Sequence, residues 1–136
     1  MENGFTNLHH DDYQELVLKE LIKDIEFKNF YQTRVVRDFP KPDIILIERT
    51  KINEKVLAFE FKPPNCDKRE YLTGIGQSLA YYYNYPYSYL IIPDQIIDGI
   101  NIPNFINEII QKTNSPLGLI KYDISTQSRP SFFNVC

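Results

Sequence analysis

Two apolar runs, divided by a short polar stretch and closed by a double proline, constrain the fold of this chain most. The first is Asp43-Ile44-Ile45-Leu46-Ile47, preceded by Pro42. The second is Val56-Leu57-Ala58-Phe59-Glu60-Phe61-Lys62, ended by Pro63-Pro64. Each is short, rich in β-branched and other apolar residues, and bounded by chain-breaking or polar positions, which is the pattern of a strand. Thr50-Lys51-Ile52-Asn53 is polar enough to reverse the chain between them, so the pair reads as a hairpin. Its charges select a register. Glu48 opposite Lys55 and Arg49 opposite Glu54 are both attractive pairs. The same register carries Asp43 to a position opposite Glu60, unless a bulge shifts the pairing by one residue.

Two facing carboxylates repel unless a cation sits between them. Strand alternation puts Glu60 and Lys62 on one face, and Phe59 and Phe61 on the other. Ala58 precedes Glu60 on its face and leaves room. Pro42 falls at the strand start, where its missing N–H does least harm. Charged side chains rarely occupy such runs without a partner or a task. Two carboxylates and an ammonium are the groups that can hold a divalent metal and position a water for phosphodiester hydrolysis. The competing structural explanation is a hairpin whose acids merely meet solvent at a sheet end.

Pro42-Asp43 and Glu60-Phe61-Lys62, with Gln77-Ser78-Leu79-Ala80-Tyr81 downstream, resemble the motif set of the PD-(D/E)xK nuclease superfamily, which includes many restriction endonucleases and Holliday-junction resolvases. The likeness runs from about Asp12 to Asp123. It implies that Asp43 and Glu60 ligate Mg²⁺, or Mn²⁺ in its place, with the backbone carbonyl of Phe61 as a further ligand. Lys62 would orient or help deprotonate the attacking water; base and electrostatic clamp both remain open. Gln77 would sit at the edge of the site, near metal-bound water or the substrate backbone. Family members often carry one more acid on the first helix, for which Glu15 is the candidate here. A capping role competes for Glu15.

The rest of the chain fits an α/β/α sandwich of three layers around a mixed sheet, restriction endonuclease-like, in the order α-β-β-β-α-β-α-β. A helix is expected from about Asp12 to Phe27, with Leu18, Leu21, Ile22 and Ile25 as its inward stripe. A strand is expected from Thr33 to Phe39, ahead of the hairpin. After Pro64 a loop carrying Lys68 and Arg69 leads to Thr73, a plausible cap for a helix from Gly74 to about Tyr83. On that helix Gln77 and Tyr81 share a face. Lys68 and Arg69 are candidates for gripping phosphate, against the alternative of a solvated loop. Tyr81 and its neighbours in the tyrosine-rich stretch from Tyr81 to Tyr89 could stack on bases, although packing explains most of them. Tyr89 to Pro93 reads as a buried strand, Ile102 to Lys112 as a helix and Leu117 to Asp123 as a last strand. Residues 1–10 read as a flexible start, where His9-His10-Asp11-Asp12 lacks the spacing of a metal site. Residues 126–136 read as a tail that either packs through Phe132-Phe133 or leads elsewhere.

At 136 residues the chain is read as a single domain, 1–136, with an ordinary 43% hydrophobic and 24% charged content. No apolar stretch reaches membrane-spanning length and no secretory pattern opens the chain, so a cytoplasmic protein is the default expectation. Cys66 and Cys136 show no metal or redox spacing. A net charge of −3 argues against bulk attraction to nucleic acid, but a metal-dependent site is acidic by necessity. The expectation is therefore a Mg²⁺-dependent DNA endonuclease of restriction or defence, with junction resolvase or repair nuclease as alternatives. Specificity would come from a homodimer, further subunits or further domains. A non-catalytic binding or assembly domain is the rival of another class. A small-molecule enzyme lacks support, since Gly74-Ile75-Gly76 alone makes no phosphate loop.

Overall fold

The computed structural model describes residues 31–32, 39–49, 54–123 and 132–134. The expected first helix, Glu15 with it, the hairpin turn 50–53 and Cys136 lie outside these residues. The described chain is mixed α/β. A six-stranded sheet has the order β1 (Tyr31–Gln32), β2 (Ile44–Arg49), β3 (Glu54–Phe61), β4 (Tyr87–Pro93), β7 (Gly118–Tyr122) and β8 (Phe132–Asn134). Helix α1 (Lys68–Ala80) joins β3 to β4, and α2 (Ile102–Lys112) lies between β4 and β7. A small ribbon, β5 (Ile96–Ile97) with β6 (Ile100–Asn101), precedes α2.

The sheet is mixed because its connections differ in length. β1, β2 and β3 are antiparallel neighbours. β3, β4 and β7 run parallel, and β8 returns antiparallel to β7. Both crossovers step across the sheet in the same direction. Right-handed crossovers then place both helices on the same face. They do lie together: Tyr71 of α1 and Ile102, Ile106 and Ile110 of α2 share one core with Leu90, Ile92 and Leu119. The other face is also buried, with Ile44, Leu46, Leu57, Phe59, Phe61 and Ile91 each 0% exposed. Phe59 stacks on Tyr89 there, and Phe61 on Tyr122. The helical layer expected against that face falls on residues outside those described.

The expected hairpin register holds through the strands: Glu48 pairs with Lys55, Arg49 with Glu54 and Ile44 with Phe59. It stops short of Asp43. The Asp43 N–H donates to the Phe59 carbonyl at 3.0 Å, although Ile44 is already the partner of Phe59. Two residues thus oppose one, as at a bulge, and Asp43 is not the ladder partner of Glu60.

Other expectations meet the structure as follows. Of the strand expected over Thr33 to Phe39, residues 33–38 lie outside those described and Phe39 lies in a bend; the strand residues described there are Tyr31–Gln32. Helix α1 begins at Lys68 rather than Gly74, because Asp67 caps it by accepting from the Arg69 N–H at 3.0 Å. Thr73 is inside the helix, its hydroxyl bonded back to the Arg69 carbonyl at 3.0 Å. Lys68 and Arg69 therefore sit on a helix, not in a loop. Tyr81–Tyr83 continue α1 as a turn of 3₁₀ helix. Part of the expected tail, Phe132–Asn134, is the edge strand β8.

Candidate functional site

The hairpin, its exit and α1 build the site together. Glu60 is the penultimate residue of β3 and is 5% exposed; Lys62 follows the strand and is 7% exposed. The Lys62 ammonium lies 3.5 Å from the Glu60 carboxylate. Asp43 reaches the same place from β2's entrance: its Oδ2 accepts the Phe61 N–H at 2.9 Å. Its carboxylate therefore rests on the peptide that joins Glu60 to Phe61. The bulge turns Asp43 toward this peptide without the ladder pairing that the hairpin pattern suggested.

The backbone of Lys62 is pinned on both sides. Its N–H donates to Ile91 at 3.0 Å, and its carbonyl accepts from the Tyr122 hydroxyl at 2.9 Å. One residue on, the Pro63 carbonyl accepts from Tyr71 at 2.8 Å. The next loop is clasped to β4's exit, where the Gln95 and Asn65 side-chain amides meet at 2.6 Å. Prolines 63 and 64 end the strand and these contacts fix the exit.

α1 supplies the wall. Its inward positions Tyr71, Gly74, Ser78 and the following Tyr81 alternate large and small. Gly74 lies against the Lys62 stem: a Cβ there would stand 3.2 Å from Lys62 Cε and 2.9 Å from Leu90 Cδ1. Glu70, one turn earlier, places Oε2 3.4 Å from the Lys62 ammonium. Tyr81, 2% exposed, donates its hydroxyl to Glu60 Oε1, and the Lys41 carbonyl lies 3.3 Å from the Tyr81 hydroxyl oxygen.

These surroundings set the charge of Glu60. Burial, and then the negative charge of Asp43, push its carboxyl up from 4.5 to about 7. The Tyr81 hydrogen bond and the Lys62 ammonium act the other way. Burial, with Glu60 and Asp43 behind it, raises the Tyr81 phenol, so the hydroxyl stays a donor. A buried carboxylate pushed up by a second carboxylate is a place where added positive charge stabilises the protein.

The donor set fits a hard divalent ion. Among the described residues no three His, Cys, Asp or Glu side chains form a cluster able to cage a metal. Magnesium does not require one: it keeps several waters and takes one or two carboxylates, with substrate phosphate completing its shell. Asp43 and Glu60 offer those carboxylates, and the Phe61 carbonyl belongs to the same strand end.

The remaining expected site residues are spread more widely. Gln77 is exposed and lines a cleft with Tyr81. Tyr81, expected at the substrate, donates its hydroxyl to Glu60 and also borders that cleft. Lys68 pairs with Asp98 of the β5–β6 turn at 3.0 Å, and Arg69 is exposed; no described contact brings either to Glu60. Glu70 and Gly74 were not anticipated. The only sequence signal for them is their spacing of four on one helix, which shows once the helix start at Asp67 is recognised.

Among the described residues no helix is long and apolar enough to cross a membrane. No family model matches the chain, and no curated protein matches it.

Proposed function

We propose that this protein is a metal-dependent nuclease of the PD-(D/E)xK kind, hydrolysing phosphodiester bonds of DNA. One observation carries the reading: Glu60 and Lys62 are buried as an ion pair at 3.5 Å, with the Asp43 carboxylate on the adjoining peptide. A buried acid and amine, with a half-buried second acid beside them, are costly to a fold unless they serve binding or chemistry. The mixed sheet, antiparallel over β1 to β3 and parallel over β3, β4 and β7, supports the reading.

Bound Mg²⁺ would supply Lewis acidity and an acidified water. Asp43 and Glu60 would hold the ion, with the Phe61 carbonyl beside them. Lys62 would orient the attacking water and set its positive charge against the phosphate. Tyr81 fixes one oxygen of Glu60, which leaves Oε2 toward Lys62. Glu70 and Gly74 hold the Lys62 side chain from the helix.

The test is plasmid relaxation with Mg²⁺. The expected result is nicking by the wild-type protein and none by Asp43→Ala, Glu60→Ala or Lys62→Ala, each still folded by circular dichroism. Equal cleavage by wild type and Asp43→Ala would defeat the assignment. A linear duplex compared with a four-way junction separates a restriction or defence enzyme from a resolvase. The second reading, a non-catalytic nucleic-acid-binding or assembly domain, is favoured by one feature: Glu60 already has a partner at each oxygen, Tyr81 and Lys62. DNA binding without cleavage and without dependence on Mg²⁺ would select it.

A further inference from the structure

Tyr81 also borders a cleft of about 510 Å³. Tyr81 is the shared wall, with its hydroxyl on Glu60 and its side chain lining the cleft. Phe39 forms another side and is 87% exposed. Phe39 also lines an adjoining hollow with Tyr83, which is 86% exposed. Gly76 leaves the cleft open, since a Cβ there would meet nothing within 4 Å. Lys41 and Gln77, both exposed, complete the lining with a cation and an amide.

From this juxtaposition we infer that the cleft seats one unpaired nucleobase of a DNA strand whose adjoining phosphodiester lies at Asp43, Glu60 and Lys62. The inference rests on the nuclease reading and narrows its substrate to DNA carrying unpaired bases. Exposed aromatic faces stack on any base without reading its sequence. The Gln77 amide offers both a donor and acceptors, as a base edge requires. The Lys41 ammonium suits a backbone phosphate. A base within a duplex is stacked on both sides and cannot enter such a cleft, so the occupant comes from a single strand, a loop or a displaced nucleotide. Continuity with the carboxylates favours a nucleotide over a peptide: Tyr81 borders the cleft and also bonds Glu60.

The experiment titrates the full chain into a single-stranded oligonucleotide containing 2-aminopurine, and into its duplex, with Ca²⁺ replacing Mg²⁺. Wild type should change the 2-aminopurine emission of the single strand and bind it more tightly than the duplex. Gly76→Phe, which fills the cleft from a position with open space around it, should weaken single-strand binding by about tenfold or more. Phe39→Ser and Tyr83→Ser, at exposed positions, should each weaken it several-fold and keep the assay decisive should Gly76→Phe fold poorly. Single-strand binding unchanged in all three variants overturns the cleft assignment, while Asp43-dependent plasmid nicking, measured separately, would still uphold the nuclease reading. Loss of a dimer in Gly76→Phe by light scattering, with binding intact, also overturns it and makes a second copy the occupant. Preference for duplex over single strand overturns it as well.

Discussion

Gly74 has no side chain where the Lys62 stem needs the space: a Cβ there would stand 3.2 Å from Lys62 Cε and 2.9 Å from Leu90 Cδ1. Gly74→Ala is therefore expected to displace the amine from Glu60 or push the helix off the sheet. Overpacking of this kind costs about 1–3 kcal/mol, which exceeds the ~1 kcal/mol that alanine gains over glycine in a helix. Urea denaturation should show a net loss of stability, and cleavage should fall with it. An unchanged midpoint would mean that the lysine stem yields freely.

Gly76, two residues further on, is the control. A Cβ there meets nothing, and the position is an exposed helix interior. Gly76→Ala should raise stability by roughly 0.5–1 kcal/mol in the same denaturation experiment. Opposite signs at positions 74 and 76 are the expected signature of one glycine kept for contact and one free of it.

Glu60 makes the metal-free protein sensitive to pH. Its carboxyl titrates near 4.5 ordinarily and at about 7 in the fold. Between those values the folded chain holds a proton that the unfolded chain has released, so stability falls as pH rises. The contribution is full below about pH 4.5 and is lost by the time the pH passes 7. Glu60→Gln should lack this component. Its thermal midpoint should fall less than that of wild type across the window, the difference amounting to a few kcal/mol in order of magnitude. Parallel curves for the two proteins would show that Glu60 is not the group responsible.

Tyr81→Phe removes the donor to Glu60 Oε1 and leaves the ring in place. Because that hydrogen bond acts to lower the Glu60 carboxyl, its loss should extend the fall in stability to higher pH. A buried carboxylate oxygen without its donor costs about 1–3 kcal/mol. Denaturation at pH 8 and pH 5 should show the larger deficit at pH 8, where the carboxylate is charged. Equal deficits would assign the loss to packing alone.

Added Mg²⁺ should reverse the Glu60 effect. At pH 8, an ion concentration of a hundred times the dissociation constant should stabilise the protein by roughly 3 kcal/mol. Asp43→Ala and Glu60→Gln should show no such gain by differential scanning fluorimetry. A shift of equal size in all three proteins would place the ion elsewhere.

Much of the hairpin was legible because charge and strand alternation spoke together. Glu48, Lys55, Arg49 and Glu54 chose the register that the strands adopt. The extrapolation to Asp43 failed one residue before β2, where side-chain bonding to the Phe61 N–H replaces the ladder and no apolar alternation remains to signal it. Helix α1 began six residues before its expected start because its buried positions include Gly74 and Ser78, too small to mark an apolar stripe; Asp67 was the stronger cap signal. The β5–β6 turn did carry a readable mark. Asp98 and Gly99 both adopt positive φ, 52° and 77°, as Asp-Gly pairs do in tight hairpins. For Glu70 beside Lys62 the spacing of four from Gly74 places it on the right helix face, but the contact itself arises from how helix and strand exit are packed.

The place of β8 bears on how this protein can be handled. Lys121 is bracketed by Ile120 and Tyr122, and all three find their outer partners in Asn134, Phe133 and Phe132. A version ending at Asp123 would bare the amides and carbonyls of a strand whose Leu119, Ile120 and Tyr122 are almost wholly buried. Such an open margin invites a neighbouring molecule to dock by strand addition. Shortening this protein from its carboxyl end would therefore promote self-association through the bared margin of β7.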